Sequence, residues 1–371
     1  MIYLDHNATS PLRPAVKAAM VAALDVTGNP SSVHRAGVAA RRIVEDARQA
    51  VAGAVGALPG QVIFTAGGTE ANTTALRSFA GRSVFVSAIE HDSIHAVPVN
   101  QTRIPADAAG VVNLAALEQM LAEAVTTGAS APQRPGLVSV MLVNNETGVI
   151  QPVRDVARIA HAYGFEVHCD AVQALGKLPL DLPDLGIDIL TLGFHKIGGP
   201  KGVGAIVAND LELIQPLLWG GNQEQRRRAG TENVVGLAGV AALLADLGTV
   251  LAEQPLLAGL RDALEAALPD AVILGQATAR VANTSCLALP GLSAETQVMA
   301  FDLAGIALSA GSACSSGKVR RSHVLTAMGV ADAVAESAVR VSLGWNTTVA
   351  DIDQCIVAWQ RLYGRTLRQV A

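Results

Sequence analysis

From about residue 60 the chain alternates short apolar runs with glycine-rich or polar turns, and these with segments of helical periodicity. This is the pattern of an α/β protein with a mainly parallel sheet flanked by helices, because parallel strands need crossover helices between them. The apolar runs predict strands at Gln61 to Thr65, Ser83 to Ser87, Leu137 to Val143, Glu166 to Asp170, Ile187 to Leu192 and Val203 to Val207. Polar residues follow the first five at their C-terminal ends, the edge where open α/β sheets place ligands. Residues 36 to 56 interleave Arg41, Arg42, Glu45, Asp46 and Arg48 with Ala, Val and Ile at helical spacing, and an Ala/Leu-rich helix is expected from Val234 to Leu251. The expected organisation is an N-terminal arm over 1–14, a large domain over 15–251 and a smaller C-terminal α+β domain over 252–371.

Composition narrows the classes. Hydrophobic residues make up 50% and charged residues 16%, so there is ample apolar surface to bury and no case for disorder. A net charge of -5, with Arg226-Arg227-Arg228 as the one basic block, argues against nucleic acid or a membrane as partner. No apolar run approaches the roughly 18 residues a membrane helix needs, and Met1 to His6 lack a basic region leading into an apolar stretch. The expectation is a soluble, cytoplasmic protein. The cysteines, at 169, 286, 314 and 355, form no CxxC pair, so neither a disulfide framework nor a zinc module is expected and any thiol acts singly.

Four segments carry candidate chemistry. Gly67-Gly68-Thr69-Glu70 follows a strand and opens a helix, so free N–H groups and the Thr69 hydroxyl suit a phosphate, although such a turn is more often only a turn. Walker A and Rossmann patterns are both missing. Asp170 ends a strand, with Gln173 three residues on; alternation puts His168 and Asp170 on one face and Cys169 on the other, which argues against a His/Cys/Asp metal site. A helix N-cap or a surface charge is the plainer reading of Asp170. Lys196 enters a glycine-rich turn directly after a strand, where desolvation lowers a lysine's pKa and favours a Schiff base; Lys201 is its rival. Cys314 sits among small polar residues, Ser309 to Gly317, whereas Cys286 and Cys355 have apolar neighbours, so Cys314 reads as an exposed nucleophile.

Taken in order, these segments resemble the cysteine desulfurases of the NifS/IscS-like class, fold-type I pyridoxal-phosphate (PLP) enzymes of the class-V aminotransferase family. The likeness runs nearly end to end, through Tyr3 to Thr9, Gly68-Thr69-Glu70, Glu90-His91, Asn144 to Gly148, Asp170 to Gln173, His195-Lys196, Arg228 to Thr231, the Cys314 loop and Arg340 to Gly344. The resemblance implies that Lys196 holds PLP in a Schiff base, Asp170 pairs with the pyridine nitrogen, His91 stacks on the ring and relays a proton, and Gln173 meets the ring hydroxyl. Gly68, Thr69 and His195 hold the phosphate, joined by Thr231 of a second subunit, which implies a homodimer. Asn145 and Arg340 bind the carboxylate of the substrate, L-cysteine. Cys314 receives the sulfur as a persulfide, L-alanine leaves, and an acceptor protein of iron-sulfur cluster assembly or thiolation takes the sulfur onward. No metal is expected in the resting enzyme, with Cys314 able to ligate an iron-sulfur cluster transiently beside a partner. One departure is Gly193, where the family carries a phosphate-binding serine. The other readings are a selenocysteine lyase or another fold-type I enzyme, and a catalytically idle dimeric scaffold.

Overall fold

The computed structural model describes residues 1–126, 136–310 and 321–370, with the backbone alone at 365–370. Cys314 lies outside the described residues. The strands are β1 (Ile2–Tyr3), β2 (Val62–Thr65), β3 (Val84–Ser87), β4 (Gln101–Ile104), β5 (Leu137–Ser139), β6 (Glu166–Asp170), β7 (Ile189–Gly193), β8 (Gly204–Ala208), β9 (Val272–Leu274), β10 (Thr284–Ala288), β11 (Ile306–Ala307), β12 (Ser309–Ala310) and β13 (Ala338–Ser342). Seven of them form one sheet in the order β2-β8-β7-β6-β5-β3-β4. Its pairs are parallel except for β8, which runs antiparallel to β2 and β7.

Period-two alternation divides this sheet's side chains between two faces. Ile63, Val84, Val86, Leu137, Ile189 and Ile206 pack on one side, with Ala71, Ala75 and Leu76 of a helix that follows β2. Phe64, Phe85, Val138, Val167, Cys169, Leu190 and Val207 face the other, against Val44, Val51, Leu237 and Val240. Both faces are covered, as a largely parallel sheet requires.

The order β12-β13-β10-β9 defines a second, antiparallel sheet. Its core joins Leu287, Val339 and Val341 to Leu260, Leu264, Phe301, Ile352, Cys355 and Trp359. Leu4 of the N-terminal arm is buried in this core, and β1 pairs in parallel with β11. The arm then crosses back, where Asp5 bridges Ser342 and the Ser10 amide donates to the His195 carbonyl.

The early helices are α1 (Pro14–Ala23), α2 (Arg35–Ala54), α3 (Gly68–Arg77) and α4 (Asp92–His95). Two expectations need correction. The single helix predicted from Val234 to Leu251 is broken at Asp246 into Val234–Ala245 and Leu247–Ala252, because Asp246 leaves helical geometry at φ -108° and ψ 19° and Asp favours caps over helix interiors. Strand β4 was not foreseen, because Thr102 and Arg103 are exposed on the sheet's edge and no apolar run marks it. Among the described residues no single helix is long and apolar enough to cross a membrane.

Candidate active site

The C-terminal ends of β2, β6 and β7 lie on one edge of the large sheet, with Thr65 and Gly193 both paired to Gly204 at the start of β8. A cavity of about 430 Å³ opens there, a volume within the usual range for small-molecule sites. Gly68, Thr69, His91, Asn145, Asp170, Gln173, His195, Lys196 and Arg340 all line it. Thr231 does not; it is exposed on the surface of the chain. Lys201 is exposed as well, so of the two rival lysines only Lys196 reaches the cavity.

Helix α3 starts at this edge because Gly67 takes φ 150°, a conformation open to glycine. Its first-turn N–H groups have no intrahelical partner, which suits an anion. Glu70 is committed elsewhere, accepting from the Ala66 amide at 2.8 Å and from Arg228 Nε at 2.9 Å. Arg227 pairs with Glu212 and Arg226 donates to Asn222 Oδ1, so the arginine run is occupied within the chain.

Asp170 is buried and held on both oxygens: Oδ1 accepts from the Val172 amide at 2.9 Å and Oδ2 from Asn72 Nδ2 at 2.7 Å. Asn72 stands one helical turn after Gly68, so α3 presents phosphate-seeking amides and the support of Asp170 on one face. A chain of bonds lies behind it. The Thr191 hydroxyl donates to Asn72 Oδ1 at 2.5 Å, so it accepts from His168 Nε2 at 3.1 Å, and His168 Nδ1 in turn accepts from Ser139 at 2.9 Å. Burial pushes His168 down to about 3, so the ring is neutral and keeps this polarity at neutral pH. Sequence reasoning missed Asn72, Thr191 and Ser139; the i, i+4 spacing from Gly68 was the available signal for Asn72.

His91 caps α4, its Nδ1 accepting from the Ser93 amide at 3.0 Å. An amide can only donate, so a neutral ring carries its proton on Nε2. Burial lowers the pKa of His91 and favours that neutral form, with the nearby Asp170 charge opposing. His195 contacts Thr9 Oγ1 at 3.1 Å, and burial together with Lys196 and Lys201 lowers it to about 4.

Lys196 Nζ donates to the Asn7 and Ala8 carbonyls at 2.7 and 2.8 Å. The arm therefore closes one side of the site, a role for Asn7 that its motif did not reveal. Arg340 is buried, with Nη1 on the Asn145 carbonyl at 3.0 Å and Nη2 on Asp5 Oδ1 at 2.8 Å. Arg340 Nε and Asn145 Oδ1 are buried without protein partners, a state that water or a ligand relieves. Glu146, also in the lining, accepts from Ser322 at 2.6 Å, and burial raises its pKa to about 7.

The donor set suits an aromatic phosphate with an aldehyde: free helix amides for the phosphate, an amine for the carbonyl, a fixed carboxylate and an imidazole. The fold and this site define an α/β enzyme of the fold-type I class. The class-V aminotransferase family profile matches residues 2–355. A cysteine desulfurase of Cereibacter sphaeroides is 41% identical, over 96% of this chain and 94% of that protein. An IscS-like cysteine desulfurase of Mycobacterium tuberculosis is 37% identical over 96% and 94%. The solved NifS-like protein from Rickettsia africae superposes with a TM-score of 0.90 at 35% identity, covering 98% of this chain and 99% of that one. The chain belongs to the class-V aminotransferase family, among its NifS/IscS-like cysteine desulfurases, a PLP-dependent group.

Proposed function

We propose that this protein binds PLP on Lys196, takes sulfur from L-cysteine to leave L-alanine, and receives that sulfur on Cys314 for transfer to an acceptor protein. The observation that carries the reading is the convergence in one cavity of Lys196, the doubly held Asp170 carboxylate, His91 and Arg340. Bound there, PLP supplies an electron sink for negative charge at the substrate's α-carbon.

The chain's own groups do the rest. Asp170, fixed by Asn72 and the Val172 amide, keeps its charge directed at the ring nitrogen. His91 holds a transferable proton on Nε2 beside the reacting atoms. Lys196 would hold the cofactor through its amine. Arg340 and Asn145 orient the substrate carboxylate. The Cys314 thiolate attacks the substrate sulfur; the S–S bond forms as the C–S bond breaks, and a proton replaces sulfur on the alanine product. The described thiols are poor rivals, since Cys169, Cys286 and Cys355 are fully buried and desolvation pushes Cys286 and Cys355 up to about 12.

Thr231 completes the phosphate site from a second subunit, which accounts for its exposure on the single chain. The working form is a cytoplasmic homodimer, and its acceptor serves iron-sulfur cluster assembly or thiolation. The test is incubation of the purified protein with PLP and cysteine, following alanine and protein-bound sulfur together. Lys196→Ala is expected to lose both products, and Cys314→Ser to keep its visible cofactor band while forming no persulfide. Extra sulfur found mainly on Cys169, Cys286 or Cys355 would overturn the assignment.

A further inference from the structure

Lys177 takes no part in the chemistry above, yet it is only 5% exposed and lies beside Lys196 around a small void of about 20 Å³. Among the described residues no carboxylate forms an ion pair with it. Its titratable neighbours are Lys196, Arg340 and the neutral His6, and burial together with the two cations lowers its pKa well below the ordinary lysine range. Arg13 and Glu253, paired with each other, line the same void. A buried ammonium without a counter-ion is costly unless hydrogen bonds satisfy it or it gives up its proton.

Its two bonds show the use. Lys177 Nζ donates to Gln173 Oε1 at 2.7 Å and to Asn7 Oδ1 at 2.8 Å. Gly176, at φ 70°, turns the chain so that Lys177 returns onto Gln173. An amine has hydrogens for both acceptors in either protonation state. Gln173 turns its oxygen toward Lys177 and its NH2 the other way, where Nε2 donates to the Asn7 carbonyl at 3.0 Å. That carbonyl is one of the two that receive Lys196 Nζ. A flipped Gln173 amide would set its carbonyl oxygen against the Asn7 carbonyl oxygen, and Lys177 Nζ could meet the flipped NH2 only by giving up its own donation to Gln173.

We propose that Lys177 is a positioning residue for the cofactor lysine: it fixes the amide polarity of Gln173 and the Asn7 segment on which Lys196 rests, so that the Gln173 NH2 is available to the ring hydroxyl. This rests on the PLP-binding reading. An N–H donor on the ring oxygen lowers the proton affinity of the Lys196 Schiff base, and a cation at 177 acts in the same direction. Removing the amine raises the titration midpoint whichever form it takes.

The experiment is a pH titration of the visible spectrum of the purified holoenzyme, with steady-state kinetics on cysteine. Lys177→Met is expected to keep PLP reducibly linked to Lys196, raise the midpoint by about one pH unit, and lower kcat about tenfold while changing KM less than about threefold. Lys177→Arg keeps the donors and holds the midpoint at or below that of the parent. Should the methionine variant fail to fold, Lys177→Ala carries the same expectation. A midpoint unmoved in Met or Ala, or raised equally in Arg, overturns the proposal. A parent with a cofactor band but no alanine product defeats the desulfurase reading alone, since the titration still decides Lys177. A parent that forms no PLP band overturns both.

Discussion

Val172 occupies the space that a serine at position 193 would enter. A Cβ on Gly193 would meet Val172 Cγ1 at 3.2 Å and Cγ2 at 3.4 Å, and the glycine's φ is not in the left-handed region. The obstacle to Gly193→Ser is thus the valine side chain and not backbone strain. A hydrogen bond to a charged group contributes about 1.5 to 3 kcal/mol, so Gly193→Ser combined with Val172→Ala should retain PLP at least about tenfold more tightly than Gly193→Ala in the same background. Gly193→Ser alone should gain less. Dialysis with a spectroscopic count of retained cofactor reads both, and equal retention by the Ser and Ala double variants would remove the hydroxyl from consideration.

Glu146 supplies a pH signature. Its folded pKa of about 7 is above the ordinary value of 4.5, so the folded state binds more protons between those values and stability falls as pH rises from about 4.5 to about 7. For a residue 3% exposed the loss is on the order of 3 kcal/mol. His6, lowered to about 4, and His168, lowered to about 3, act oppositely, adding stability as pH rises toward 6.5. The difference between parent and Glu146→Gln isolates the carboxyl. Urea midpoints should show the variant gaining relative to the parent as pH rises through that window, and parallel curves would refute the assignment.

At the scale of elements, the segment Glu224–Arg226 is held in an unusual form, with φ of 44°, 53° and 66° at three consecutive non-glycine residues. Such conformations cost about 1 to 3 kcal/mol each and persist only when their surroundings over-determine them. The surroundings here are α2 and β2. Arg48 Nη1 and Nη2 meet the Glu224 carboxylate at 2.9 and 2.8 Å, and the Phe64 amide donates to it at 2.8 Å. Glu224→Ala should therefore cost about 1 to 3 kcal/mol, because it leaves the Phe64 amide without its acceptor and Arg48 with only the half-exposed Glu45, at 3.2 Å, as a carboxylate partner. Calorimetry reads the loss, and a change below about 1 kcal/mol would show that the segment is held otherwise. None of this was legible in the sequence. Arg48 belongs to a helix whose periodicity is plain, but its partner lies 176 residues away, and helical spacing does not report on distant contacts.

For the whole molecule, the proposed homodimer makes a prediction that a single chain does not. If Thr231 reaches the neighbouring subunit's phosphate site, a mixed dimer of Lys196→Ala and Thr231→Ala chains contains one site with both residues intact. Activity should reappear on mixing, to about half the parent's level per mixed dimer, if each site works independently. Failure of mixed dimers to exceed the sum of the separate variants would place Thr231 outside the partner's site.

The sequence by itself determined the α/β class, most strand positions and the residues with chemistry at the strand ends. Those features are local: alternation, turn glycines and polar residues after apolar runs follow from backbone geometry over a few residues. Asp170 and Lys196 were legible for that reason, and His91 through the family resemblance. Only the tertiary structure placed Lys196 in the cavity with Lys201 exposed, brought the arm's Asn7 against Lys196, set Asn72 behind Asp170, and buried Lys177 between Asn7 and Gln173. Each depends on a contact between separate elements or on a side chain's burial, and a hydrogen bond across 170 residues of chain leaves no periodic trace.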